Sequence, residues 1–259
     1  MTDELAPIRR AFGPDDLRPL LERRGIDRTV LVQTRSSVDE TRELLATAAA
    51  TDFVAGVVGW VDLAAPDVAD ALDALLKARD GRWLVGIRHQ VSDEPDPRWL
   101  ARADVRRGLR AVEAAGLAYD LLLRPRDLPA ALEVAREHTG LRLVVDHIAK
   151  PRIRDGADPE WAERMAPLSD LPHVHCKVSG LVTEADWERW EPGDLAPFVR
   201  SVLGWFGAGR LMLGSDWPVC LVAAPYRRVL EVARQLVAGL PDAVRGENAV
   251  RFYGLPDPR

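Results

Sequence analysis

Asp216 closes the apolar run Leu211–Leu213, and Pro218 fixes the chain just beyond it. Comparable runs deliver Arg88 and His89 in "WLVGIRHQ", Asp120 and Arg124 in "LAYDLLLR", and His147 in "LRLVVDHI". A further run, "HVHCKVSG", carries His175, Lys177 and Ser179. Carboxylate, imidazole, guanidinium and ammonium groups transfer protons or hold a developing negative charge. Singly, each of these residues has a structural explanation. Asp216 before Trp217-Pro218 can form a turn, Asp120 can pair with Arg124 or Lys177, and Trp60 and Trp217 can simply pack. Together they fit a core poorly. A buried polar group without a partner costs about 1–3 kcal/mol, so several converging on one mouth point to a site.

The elements that must position them alternate. Apolar, β-branched segments ("TVLVQ", "FVAGVVGWVDL", "WLVGIRHQV", "LAYDLLLR", "LRLVVDHIAK", "HVHCKVSGL", "RLMLGSDW") are separated by helical ones with readable ends. Ser37-Val38-Asp39-Glu40 reads as a capping box before Leu44, Leu45 and Ala48. Pro66-Asp67 opens the helix carrying Leu72, Leu75 and Leu76, and Gly140 closes the one through Ala131, Leu132 and Val134. Strand-then-helix alternation predicts a parallel sheet, because parallel neighbours need a crossover. The chain opens on a helix, "PDDLRPLLERRG", and supplies seven strands where a closed (β/α)8 barrel uses eight. No Gly-rich phosphate loop follows any strand, which argues against a doubly wound nucleotide-binding sheet.

Alternate strand residues face opposite sides. Val174, Cys176 and Val178 form an outward apolar set, leaving His175, Lys177 and Ser179 inward. The same reading turns Val85 and Ile87 outward and Arg88 inward, with His89 at the rim. It turns Asp120 and Arg124 inward, sets His147 inward above Leu143 and Val145, Gln33 inward at the end of "TVLVQ", and Asp216 inward at the end of its strand.

Composition narrows the function classes. The 259 residues suit one barrel-sized domain over 1–259. With 35 Lys+Arg against 40 Asp+Glu, the net charge of −5 disfavours a nucleic-acid partner. No apolar run is long enough to span a membrane. Two cysteines, Cys176 and Cys220, and no evident signal peptide fit a reducing cytoplasm.

"VVDHIAKP", "KVSGLVTEADW", "LMLGSDWPV" and "ENAVRFYGL", supported by "GIRHQVSDEPD" and "LLLRPRDLPAAL", together resemble the amidohydrolase superfamily. The nearest branch is the one holding sugar-lactone hydrolases and the pyrone-dicarboxylate lactonase. The resemblance covers nearly the whole chain, in order. It implies a (β/α)8 TIM barrel, with Asp216 ending the eighth strand as the catalytic carboxylate and His147 as a site histidine on the sixth. The chain departs from the family at the first strand, since no His-x-His lies before residue 89. The expectation is therefore an amidohydrolase-type barrel lacking its first strand.

The activity this implies is opening of the cyclic ester of a sugar-acid lactone. Aspartates ordinarily titrate near ~3.9 and are ionised at pH 7, so Asp216 would activate water as general base. Arg88, with His147 or His89, would hold the oxyanion. Gln33, Trp60, His89, Arg124, Lys177 and Trp217 would contact the substrate. No cofactor is required in this reading. His147 and Asp216 alone fall short of the ligands that zinc normally takes, so no residue is assigned to metal, although a divalent metal such as zinc is the alternative. Two other readings stand beside it: a metal-dependent amidohydrolase or decarboxylase, and a catalytically silent remnant or binding protein. The expected partner is a small sugar lactone, with no nucleic acid and no membrane. The oligomeric state and the choice of lactone are not readable.

Overall fold

The computed structural model describes residues 3–256. Its strands are β1 (Thr29–Val32), β2 (Val54–Gly59), β3 (Leu84–His89), β4 (Ala118–Leu121), β5 (Leu143–Val145), β6 (Val174–Val178) and β7 (Leu211–Leu213). Helix α1 (Pro14–Glu22) precedes β1. Then α2 (Val38–Ala50), α3 (Val68–Lys77), α4 (Ala103–Ala114), α5 (Leu128–Glu137), α6 (Pro159–Met165) and α7 (Pro192–Phe206) follow β1 to β6 in turn. Two helices, α8 (Tyr226–Leu236) and α9 (Glu247–Tyr253), come after β7. All seven predicted strands form, and every neighbouring pair is parallel in the order of the chain. Among the described residues no strand joins β7 back to β1. No helix there is long and apolar enough to cross a membrane.

Local chemistry explains the elements. The Val-rich β2 is buried along its whole length, as a strand covered on both faces must be. Ser37 caps α2 by accepting from the Glu40 N–H. Glu40 does not close the predicted box. Its carboxylate instead takes the N–H groups of Thr34 and Arg35 and the Thr34 hydroxyl, holding the turn after β1.

The sheet has two apolar faces. The outer one packs Val57, Ile87, Leu121, Leu143, Val145, Val174, Cys176 and Val178 against the helices. The inner one gathers Val58, Ala118, Val144 and Met212, with Val30, Val32 and Val85 beside them, around Phe252 and Tyr253 of α9. Arg142, just before β5, donates to the Phe252 carbonyl, so α9 plugs the end of the sheet where the strands begin. The edge strands β1 and β7 both feed this inner cluster, so the sheet curls.

Two parity readings are corrected here. Val85 belongs to the inner cluster because the β2–β3 pairing shifts register between Val57 and Val58. Leu143 and Val145 face the helices, while Val144 faces inward. Strict alternation therefore points Asp146, not His147, into the sheet's interior.

Candidate active site

Strands β3 to β6 deliver four charges to the interior. Arg88 donates through Nη1 to Asp146 Oδ2 at 2.8 Å. Lys177 Nζ lies 2.7 Å from Asp146 Oδ1 and also bonds Asp120. The Tyr253 hydroxyl, coming up from the plug helix, donates to Asp120 at 2.8 and 3.0 Å. Asp120 and Asp146 are fully buried, so each charge needs its counter-charge. Burial would raise the Asp146 carboxyl, but Lys177 and Arg88 together hold it well below the usual range. Burial raises Asp120, with Lys177 pulling the other way and the Asp146 charge adding to the rise. Lys177 is desolvated, yet its two carboxylates hold it well above the usual lysine range.

Gln33 fixes Arg88 from the β1 side. Its Nε2 donates to the Arg88 carbonyl at 3.1 Å, and Arg88 Nη2 donates to the Gln33 carbonyl. Gln33 is wholly buried. At the next position along β3, His89 is enclosed: Trp60 Nε1 donates to Nδ1 at 2.9 Å and Nε2 meets Glu94 Oε1 at 2.7 Å. Trp99 stacks on its ring at 4.1 Å.

His147 reaches the site by a route that alternation does not provide. After Asp146 the backbone turns left-handed for four consecutive non-glycine residues, with φ of 51° at His147, 47° at Ile148, 60° at Ala149 and 51° at Lys150. Such a conformation costs an L-residue about 1–2 kcal/mol. Side chains hold it: Trp161 Nε1 donates to the Ile148 carbonyl at 2.6 Å, and Lys150 Nζ pairs with Glu184 Oε1 at 2.7 Å. The reversed turn swings the imidazole over Gly180, where a Cβ would lie 2.7 Å from the ring. There Nδ1 is 2.9 Å from Ser179 Oγ and Nε2 is 3.6 Å from Asp216 Oδ1.

Asp216 is itself left-handed, at φ 57°, ahead of a cis Trp217-Pro218 bond. Burial lowers the His147 pKa against the pull of Asp216 and Asp146, which favours the neutral imidazole. The ring's Nδ1 is engaged by the Ser179 hydroxyl, which leaves Nε2 facing Asp216. A gap of 3.6 Å is beyond a good hydrogen bond, but one water or substrate oxygen can be shared between the two groups.

The remaining expected residues surround this pair less closely. Trp217 packs edge-on against Phe12 at 5.3 Å, and Trp60 lies beyond β2. Arg124 is exposed after β4, not inward, and its backbone N–H and carbonyl both bond Asp127. Cys176 and Cys220 are free and buried; burial pushes Cys220 up to about 12 and Cys176 higher still, so neither offers a thiolate. Sequence reasoning set Ser179 inward without giving it a role, and it did not single out Asp146, Tyr253 or Glu94 for the site. The available signal for Asp146 was a charged residue directly following three apolar ones.

A catalytic zinc normally keeps three protein ligands and an open position. His147 and Asp216 supply two converging donors. Both nitrogens of His89 are spoken for, and no group of three or more His, Cys, Asp or Glu suited to a metal occurs among the described residues. These residues do not by themselves fit a zinc.

Comparison with known proteins agrees with this architecture. An L-fucono-1,5-lactonase of Burkholderia ambifaria is 44% identical over 266 residues, taking in 98% of this chain and 89% of that protein. Its namesake from Burkholderia multivorans is 39% identical, over 97% and 88%. A crystal structure of an amidohydrolase from Burkholderia multivorans with bound zinc superposes with a TM-score of 0.92 at 37% identity, covering 98% of this chain and 93% of that one. A family model described as amidohydrolase matches residues 1–255, and the chain belongs to that family.

Proposed function

We propose that this chain, as one barrel-type domain over 1–259, hydrolyses a sugar-acid lactone. The observation that carries the reading is the approach of His147 Nε2 and Asp216 Oδ1 to 3.6 Å at the ends of their strands. The lactonase names of relatives at 44% and 39% identity support it. Asp216 takes a proton from water held between the two side chains, and the water oxygen bonds to the lactone carbonyl carbon. As the tetrahedral intermediate collapses, the bond from that carbon to the ring oxygen breaks. Asp216 returns the proton to the ring oxygen, giving a hydroxy acid.

Lys177, engaged by Asp120 and Asp146, lends its positive charge to the substrate side of the site. Arg88 and His147 favour the oxyanion, each donor contributing on the order of 10²–10³ in rate. Trp60, Arg124 and Trp217 contact the sugar. Gln33 and His89, whose polar atoms are taken by neighbours, act by holding Arg88 and the Trp60 wall. The sheet is read as an eight-stranded barrel short of its first strand, and the two buried thiols suit a reducing cytoplasm.

The test is Asp216→Asn assayed on L-fucono-1,5-lactone and a panel of aldonolactones with a pH indicator. A general base is worth about 10²–10⁴ in rate, so the folded variant should lose at least a hundredfold in kcat. Retention of more than a tenth of wild-type kcat removes Asp216 from that role. No turnover by the wild type on any lactone favours the binding-protein reading. The mechanism written here requires no cofactor. The zinc in the Burkholderia multivorans structure makes elemental analysis the companion measurement. Stoichiometric zinc whose chelation abolishes turnover would replace this mechanism by a metal-dependent one.

A further inference from the structure

Among the described residues the left-handed turn of His147–Lys150 is the one run of four consecutive positive-φ residues, and it contains no glycine. Its residues do not favour that conformation, so the surroundings must impose it. At its start His147 is held by Ser179, and at its end Lys150 is held by Glu184. Its centre, Ile148, is held from outside the site by the indole of Trp161, which donates to the Ile148 carbonyl. The indole is well placed to act as an anchor. Asp158 caps α6 by accepting from the Trp161 backbone N–H at 3.1 Å, and Arg152 pairs with Asp158. The Trp161 ring lies 5.3 Å from Phe198 and 5.2 Å from Trp205, between α6 and α7.

We propose that Trp161 is a positioning residue for His147, its indole N–H locking the left-handed turn that aims the imidazole at Asp216. Were the lock absent, the turn could relax toward right-handed backbone. The alternation of β5 would then return His147 away from Asp216. Gly180 is the complementary part of the device, since any Cβ there would occupy the space of the ring. The catalytic half of this inference rests on the lactonase reading of His147; the conformational half does not.

The test uses the full chain with Trp161→Phe, which removes the donor but keeps an aromatic ring. Trp161 replaced by 3-benzothienylalanine, which exchanges only the N–H for sulfur, serves should the phenylalanine variant fold poorly. Trp205→Phe is the control, because it thins the same aromatic cluster without touching the turn. Two readouts are taken. One is amide exchange at Lys150, whose N–H closes the turn on the His147 carbonyl at 2.9 Å. The other is kcat and KM on L-fucono-1,5-lactone. Both Trp161 variants should speed Lys150 exchange by about tenfold or more while Trp205→Phe does not. They should lower kcat by about 10- to 100-fold with KM nearly unchanged, as small misplacements of a reacting group do. Unchanged Lys150 exchange in both variants overturns the lock and leaves Trp161 a packing residue. Faster exchange with unchanged kcat upholds the lock and overturns the catalytic reading of His147 instead.

Discussion

At the scale of single residues, the two arginines expected at the site have different surroundings and should fail differently. Arg88 is buried and shares Asp146 with Lys177. Arg88→Met leaves that buried carboxylate with half its counter-charge, and breaking a buried pair typically costs about 3–5 kcal/mol. The variant should lose stability in urea as well as at least ~10² in kcat. Arg124 is exposed, so Arg124→Met should change stability by less than about 0.5 kcal/mol and mainly raise KM. Equal stability losses in the two variants would contradict this division. Arg88, Lys177, His147 and Asp216 were legible as a group because each lies on or just after a strand-like segment. Asp146 was not, because Leu143, Val144 and Val145 are all apolar and buried, so the run carries no alternation to read. The turn that carries His147 was hidden for another reason. Left-handed backbone is normally signalled by glycine or asparagine, and His147-Ile148-Ala149-Lys150 has neither.

At the scale of elements, the join between β6 and α9 predicts a pH dependence. His175 points inward near the start of β6, and its ring lies 4.8 Å from Phe252 of the plug helix. Burial lowers its pKa from 6.5 to about 4. The folded state therefore keeps the neutral ring, whereas the unfolded chain binds a proton once the pH drops below about 6.5. This histidine's contribution to stability is complete above that pH and is lost progressively as pH falls toward 4. His147, also lowered by burial, acts in the same direction. His175→Leu should flatten the fall of Tm between pH 6.5 and 4 relative to wild type, without abolishing it. Parallel Tm profiles for the two proteins would show that His175 does not titrate differently on unfolding. The strands and their order were readable because turns of Pro, Gly and Asp separate strongly patterned segments. The work of α9 was not: "ENAVRFYGL" signals a helix and a family, but only the curl of the sheet brings Phe252 and Tyr253 under strands distant in sequence.

At the scale of the whole molecule, the consequential feature is the side of the sheet between β7 and β1. Eight strands with a fixed stagger close a barrel of this kind, and among the described residues this sheet has seven. Helix α1 partly covers the region, burying Leu17 and Leu21, and Arg24 just beyond it pairs with Glu231 of α8 at 3.0 Å. Phe12 reaches Trp217 beside Asp216. These contacts supply side chains, whereas an edge strand needs backbone partners. Thr29 and Gln33 direct their N–H groups to the carbonyls of Phe53 and Val58, on the β2 side. The two-residue alternation of a parallel ladder then turns the N–H groups of Val30 and Val32 toward the open side. Unpaired edges of this sort invite pairing with another chain. The 259-residue protein should accordingly exchange the Val30 and Val32 amides at least ~10²-fold faster than those of Ile87 and Tyr119 in the sheet's centre. Its apparent mass in size-exclusion chromatography should rise with concentration as edges associate. If the chain stays monomeric at high concentration and both amides are as protected as the centre, another segment pairs with β1. Asp216 would then stand beside a covered strand, and the open-sheet reading would be wrong.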